Sequence, residues 1–136
     1  MYYFDYAATT PVAPEAAEAM VHALTRAFGN PSAQYPLGRE ARDAVAAQRA
    51  VIAQALGCDA GALYFTSCGT ESDNWAVRGA AYANKDKGRH IITSAIEHHA
   101  ILHTCEQLEM EGFEVTYLPV DEFGVVDMEA LRNAVR

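Results

Sequence analysis

From residue 63 onward, short β-prone runs alternate with longer stretches of helical period. This alternation is the strongest constraint on the fold. Parallel strands cannot be joined by a tight turn and need a crossover of a dozen or more residues, which a helix supplies. Residues 63–65, 90–93 and 114–120 read as strands, and residues 70–84 and 97–111 as helices. Lys85 to Arg89 form a polar loop, Gly112 closes the second helix, residues 123–124 turn, and Asp127 caps a last helix that starts at Met128. The order β-α-β-α-β-α predicts an α/β fold, a mainly parallel sheet with flanking helices and right-handed crossovers.

The preceding part divides at a proline. Residues 1–14 read as an N-terminal arm or extended segment, and residues 15–136 as the first part of a larger domain. Ala17, Met20, Val21, Leu24 and Phe28 fall at spacings of three and four, which predicts a helix over 15–28 with Pro14 in its first turn and Thr10 just upstream. Gly29, Asn30 and Pro31 end it. A second helix over 37–56 carries Ala41, Val45, Ala46, Ile52 and Leu56 on one face and Arg39, Arg42, Asp43, Gln48 and Arg49 on the other, and Gly57 stops it. Cys58 to Gly61 make a turn. The last helix runs to Arg136 without a cap or a following strand. With three strands and an open sheet edge, the chain is expected to belong to a larger fold.

Composition narrows the partners. The chain has 136 residues, 51% hydrophobic and 21% charged, which suits a folded domain. Eighteen acidic against ten basic residues give a net charge of −8, and no Lys/Arg run exceeds the 85–89 loop. A nucleic-acid backbone is therefore not an expected partner. No apolar run reaches membrane-spanning length, and the start lacks the basic and apolar regions of a signal peptide, so a cytoplasmic location is expected. The three cysteines, Cys58, Cys68 and Cys105, are widely spaced and include no CxxC pair. Reduced thiols, at least two of them buried, are expected.

Two strand ends hold the chemistry. Ligands in open α/β sheets bind beyond the carboxyl ends of the strands. At the first such end, Ser67, Cys68, Gly69 and Thr70 precede Glu71, Ser72, Asp73 and Asn74. Gly69 allows a sharp turn and close approach, Thr70 can cap the helix with Asp73 answering back, and the free N–H groups of Glu71 and Ser72 favour an anion. A bare capped turn and a phosphate seat both fit. Neither a P-loop nor a GxGxxG fingerprint is present. At the second end, His98 and His99 open a helix and His103 follows. A histidine there suits ring stacking or proton transfer. His99 and His103 share a helix face and could ligate a metal with Cys105 or Glu106, or could be plain surface residues.

Five ordered stretches carry a family likeness: DYAATTPV at 5–12, FGNPSA at 28–33, YFTSCGTESDN at 64–74, HIITSAIEHHAI at 90–101 and EGFEVTYLPVDEFGVVD at 111–127. Together they resemble the N-terminal part of the cysteine desulfurases of the NifS/IscS type, class V, fold-type I enzymes that use pyridoxal 5'-phosphate. The resemblance implies that Gly69 and Thr70 bind the cofactor phosphate and that His98 stacks on its ring and serves in acid/base steps. It implies sulfur taken from L-cysteine as an enzyme persulfide, leaving L-alanine. That sulfur goes to acceptor proteins for iron–sulfur clusters or thiolation. It also implies a homodimer. Cys68–Gly69 stands where Gly–Ala is common in the family. The family also needs a lysine that holds the cofactor covalently, an aspartate for the ring nitrogen and a mobile sulfur-accepting cysteine. Lys85, Lys87 and the three cysteines match none of these positions. The chain alone is expected to be inactive and to hold the cofactor weakly or not at all. A non-catalytic module that pairs with a complementing chain is the alternative.

Overall fold

The computed structural model describes residues 2–136, so Met1 of the expected arm lies outside the described residues. The chain forms two compact units, divided between Tyr64 and Phe65.

The first unit is built on two helices. Helix α1 (Pro14–Thr25) has Pro14 in its first turn and Glu15 beside its positive end, while Ala13 takes the cap position without a side-chain bond. The helix stops three residues before Phe28. The Thr25 hydroxyl donates back to the Val21 carbonyl at 2.7 Å, and the Asn30 carboxamide begins a turn by accepting from Ser32 N at 2.9 Å. Helix α2 (Pro36–Leu56) ends at Gly57, whose φ of +68° is the left-handed conformation that favours glycine. The 30–38 turn is tight for a second reason. A Cβ on Gly38 would sit 2.7 Å from the Ala33 Cβ and closer still to its carbonyl oxygen, and a Cβ on Gly29 would collide with the Leu37 carbonyl. Arg49 donates to the Leu63 carbonyl and ties α2 to the end of the unit.

The second unit runs α3 (Gly69–Asn84), β1 (His90–Ser94), α4 (His99–Met110), β2 (Glu114–Leu118) and α5 (Met128–Ala134). Strands β1 and β2 pair in parallel from His90↔Glu114 to Ser94↔Leu118, as the helix between them requires. The core lies where α4 covers this pair: Ala100, Cys105 and Leu108 of α4 with Phe113 and Leu118. Gly112, with φ +88°, closes α4. Phe113 N donates to Leu108 O and Gly112 N to Glu109 O, both at 3.0 Å, and the apolar pair Leu108 and Phe113 is buried beneath the turn. Asp127 caps α5 by accepting from the N–H groups of Glu129 and Ala130.

Three expectations need correction. Residues 63–65 join neither β1 nor β2. Leu63 is extended and its carbonyl accepts from Arg49, and the sheet among the described residues has two strands. Cys105 is buried, but Cys58 and Cys68 are exposed, one just past a helix stop and the other at a helix start. The last helix ends inside the chain, at Ala134 with Val135 extended.

Gly38→Ala is expected to lower stability by about 1–3 kcal/mol, the usual cost of forcing a methyl into a filled space. Urea unfolding followed by circular dichroism should show an earlier midpoint at unchanged slope. An unchanged midpoint would contradict the close approach at Ala33.

Candidate functional site

The start of α3 is held by bonds different from those the sequence suggests. Cys68, in extended conformation, is the N-cap and makes no side-chain cap bond. Thr70 is the second helical residue, not the cap. The reciprocal partner is Glu71 rather than Asp73: its Oε2 accepts from both the backbone N–H and the hydroxyl of Ser67, each at 2.7 Å. The Ser67 hydroxyl, and then its N–H, lower the Glu71 carboxyl below its ordinary pKa. This turns the nearest carboxylate back toward Ser67. Ser72 Oγ lies 2.6 Å from Thr66 Oγ1, and Ser72 N donates to Cys68 O at 3.2 Å, so Ser72 N is spent inside the helix. The N–H groups without an intrahelical acceptor are those of Gly69, Thr70 and Glu71. The Cys68 thiol lies beside them. The Glu71 N–H and the Ser67 hydroxyl shift its pKa down, although the N–H contact falls short of a full hydrogen bond.

Gly69 does not have a positive φ. A Cβ built on it meets nothing within 4 Å. Glycine here therefore leaves open room at the helix start; the turn itself does not demand it.

His98 is the N-cap of α4. Its Nδ1 accepts from Ala100 N at 3.1 Å. An Nδ1 that accepts carries no proton, so the donor of the neutral ring is Nε2. The His98 and His99 rings lie 6.1 Å apart and those of His99 and His103 5.4 Å, both edge to face. Cys105 projects from another side of α4 and is 1% exposed. Among the described residues no group of three or more His, Cys, Asp or Glu side chains is placed to hold a metal ion.

Helices α3 and α4 run parallel. Thr104 Oγ1 donates to Asn74 Oδ1 at 2.7 Å, and Asn74 Nδ2 donates to the Thr70 carbonyl at 2.9 Å. Further along, Glu111 receives Arg78 at 3.3 Å, Gln107 at 3.3 Å and the Tyr82 hydroxyl. Hydrogen bonding to Tyr82 lowers the Glu111 carboxyl pKa and raises that of the phenol. Early residues meet early residues and late meet late, so both helix starts lie at one end. There an open cavity of about 400 Å³ is lined by Thr70, Asn74, Arg78, His98, His103 and Gln107 among others. Thr70 and His98 thus face one space, and Gly69 adjoins it at the helix start.

Asn74, Thr104 and Arg78 are the residues that the sequence reading missed. Thr70, Asn74 and Arg78 repeat every four residues, a polar stripe that could have revealed them. Lys85 caps the far end of α3, about 24 Å along the helix from Gly69. Lys87 bonds to Asn84 there. Neither lysine reaches the cavity. Among the described residues no helix is long and apolar enough to cross a membrane.

A family model described as "Aminotransferase class-V" matches residues 2–136. A "Cysteine desulfurase IscS" from Methanosarcina thermophila is 58% identical over 134 residues, covering 98% of this chain and 33% of the relative. A namesake from Clostridium botulinum is 53% identical over 98% of this chain and 34% of its own length. The chain therefore spans about a third of the curated relatives it matches. Among solved structures, a "NIFS-like protein" superposes with a TM-score of 0.91 at 41% identity, over 98% of this chain and 36% of that one. "SspA in complex with cysteine" does so with a TM-score of 0.90 at 39% identity, over 100% of this chain and 39% of that one.

Ser67→Ala is expected to raise the Glu71 pKa toward the ordinary carboxylate value, because the larger of its two donors is lost. A carboxyl-detected NMR titration measures it. The wild-type carboxylate stabilises the helix start above the unfolded-state pKa, and this support is lost as pH falls through the lower folded value. An unmoved titration in the variant would refute the Ser67 anchor.

Proposed function

We propose, for a chain that belongs to the class-V aminotransferase family, that it supplies the phosphate seat and the ring-facing histidine of a pyridoxal 5'-phosphate-dependent cysteine desulfurase. The observation that carries this is the convergence of two helix starts on one cavity, lined by Thr70 with Gly69 next to it in the chain and by His98.

The residues present fit the phosphate end of that cofactor. Three N–H groups at the start of α3 and the helix dipole favour a doubly charged anion. The Thr70 hydroxyl adds a donor, and Gly69 leaves the approach open. Glu71, the carboxylate best placed to repel an anion, is bound back to Ser67. The ring end fits as well. His98 is fixed by its Nδ1 bond, so its ring face can stack beside a ligand ring while Nε2–H serves as a donor; taking up a proton would require Nδ1 to release Ala100 N–H. When bound, pyridoxal 5'-phosphate acts as an electron sink for reactions at the α-carbon of an amino acid.

The substrate is L-cysteine and the product L-alanine, with sulfur passed to acceptor proteins of iron–sulfur cluster or thiolation pathways in the cytoplasm. The structural neighbour SspA, in complex with cysteine, supports the choice of substrate. The lysine that holds the cofactor, the aspartate for its ring nitrogen and the sulfur-accepting cysteine come from outside residues 1–136, whether in a longer chain, a second subunit or a complementing chain. Lys85 and Lys87 sit at the wrong end of α3 for the first role.

Thr70→Val is expected to weaken binding of pyridoxal 5'-phosphate by about tenfold or more, the loss of one hydrogen bond to a charged group. Equilibrium dialysis measures it, and equal binding by both proteins would contradict the seat. Incubated with cofactor and L-cysteine, the chain alone should release no sulfide above buffer. Steady release would contradict the need for an outside lysine.

A further inference from the structure

The cofactor seat and the ring-facing histidine belong to different helices, so something must set the distance between them. We propose that Asn74 is the positioning residue that fixes the start of α3 against His98, through its bond to Thr104; the proposal rests on the cofactor reading given above.

Four observations support it. Asn74 lies one helical turn beyond Thr70 and donates to the Thr70 carbonyl at 2.9 Å, so it is anchored to the seat itself. Thr104, 3% exposed, gives its hydroxyl proton to Asn74 Oδ1 at 2.7 Å. The two bonds also fix the orientation of the carboxamide. With oxygen and nitrogen exchanged, Oδ1 would face the Thr70 carbonyl oxygen, acceptor against acceptor. Thr104 in turn lies six residues, about 9 Å of rise, from His98 on the same helix. The bonds Thr70–Asn74–Thr104 therefore run from the proposed seat to α4, the helix whose start His98 caps.

The other cross-link cannot do this work. Glu111 with Arg78 and Tyr82 lies thirteen residues beyond His98, about 20 Å along α4. Its Arg78–Glu111 pair is about one-third exposed, at 33% and 30%, and such pairs contribute little. It pins the far ends and leaves the near ends free to splay. The buried Thr104 bond is different in kind, because a polar group left unmade there carries a desolvation penalty. A site that grips a ligand from two elements needs its groups held to within about 0.5 Å.

Two probes separate positioning from simple packing. Inorganic phosphate needs only the α3 start. Pyridoxamine 5'-phosphate needs the seat and the His98 ring, and its amine cannot form an adduct with Lys85 or Lys87. Calorimetric titration of the chain with each gives a ratio of affinities. Asn74→Ala should lower pyridoxamine 5'-phosphate affinity by about tenfold while changing phosphate affinity by less than about twofold. Thr104→Val cuts the same link from the α4 side and should behave alike. Thr104→Ser keeps the hydroxyl and should restore the wild-type ratio. If circular dichroism shows either Asn74→Ala or Thr104→Val to be unfolded, the other carries the test. An unchanged ratio in the folded variants would overturn the proposal while leaving the cofactor reading intact. An equal fall for both probes would also overturn it, by showing that Asn74 supports only the α3 start. A wild-type chain with no preference for pyridoxamine 5'-phosphate over phosphate would instead overturn the cofactor reading, and the proposal with it.

Discussion

The docking of α3 alongside α4 is the contact on which the site depends. Both helices start at the same end because Asn74 meets Thr104 and Glu111 meets Arg78 and Tyr82 in parallel order. The starts of helices carry donors without partners. Two of them come together here, one with an open glycine and one capped by a histidine, and the cavity between them is where we propose that an anion joined to a ring binds. The β1–β2 pair serves this arrangement from below. It fixes the strand end that delivers residues 95–98, and Leu108 and Cys105 hold α4 down on it.

A chain with a net charge of −8 has no general attraction for anions. The seat we propose is therefore a local one. Glu71 would be a repulsive neighbour at the start of α3, but Ser67 donates to it twice and turns it away. The same short stretch leaves Cys68 exposed beside backbone N–H groups, which is why its thiol titrates lower than an ordinary one. One local hydrogen-bond pattern thus turns Glu71 away from the helix start and lowers the thiol pKa.

Much of this was legible in the sequence, for identifiable reasons. Gly57 and Gly112 read as helix stops, and both adopt positive φ. Asp127 read as a cap and accepts two N–H groups. The alternating pattern read as parallel strands, and β1 and β2 pair that way. The misreadings concern features that depend on partners. The β-prone run at 63–65 is extended at Leu63, but that carbonyl accepts from Arg49 rather than from β1 or β2, and a cysteine becomes buried only with something over it. Helix α1 shows the same effect: Met20, Val21 and Leu24 form the expected apolar stripe, yet all three are exposed. The chain spans about a third of the length of the curated relatives it matches. The capping of α3 was misread for a different reason. Ser67, Thr70 and Asp73 are all competent by type, and only the backbone path through Cys68 decides that Ser67 and Glu71 pair. The four-residue spacing of Thr70, Asn74 and Arg78 marks Asn74 as part of a polar stripe, but its partner Thr104 lies on another helix and is not legible from that spacing.

In the reading proposed here, Gly69–Thr70 and His98 form one site for a phosphorylated ring. NMR of the isotopically labelled chain with added pyridoxamine 5'-phosphate decides it. Amide shifts at Gly69, Thr70 and Glu71 should saturate together with shifts of the His98 ring, with nuclear Overhauser contacts between that ring and the ligand ring. Shifts confined to one helix start, with the other unmoved at saturation, would contradict it.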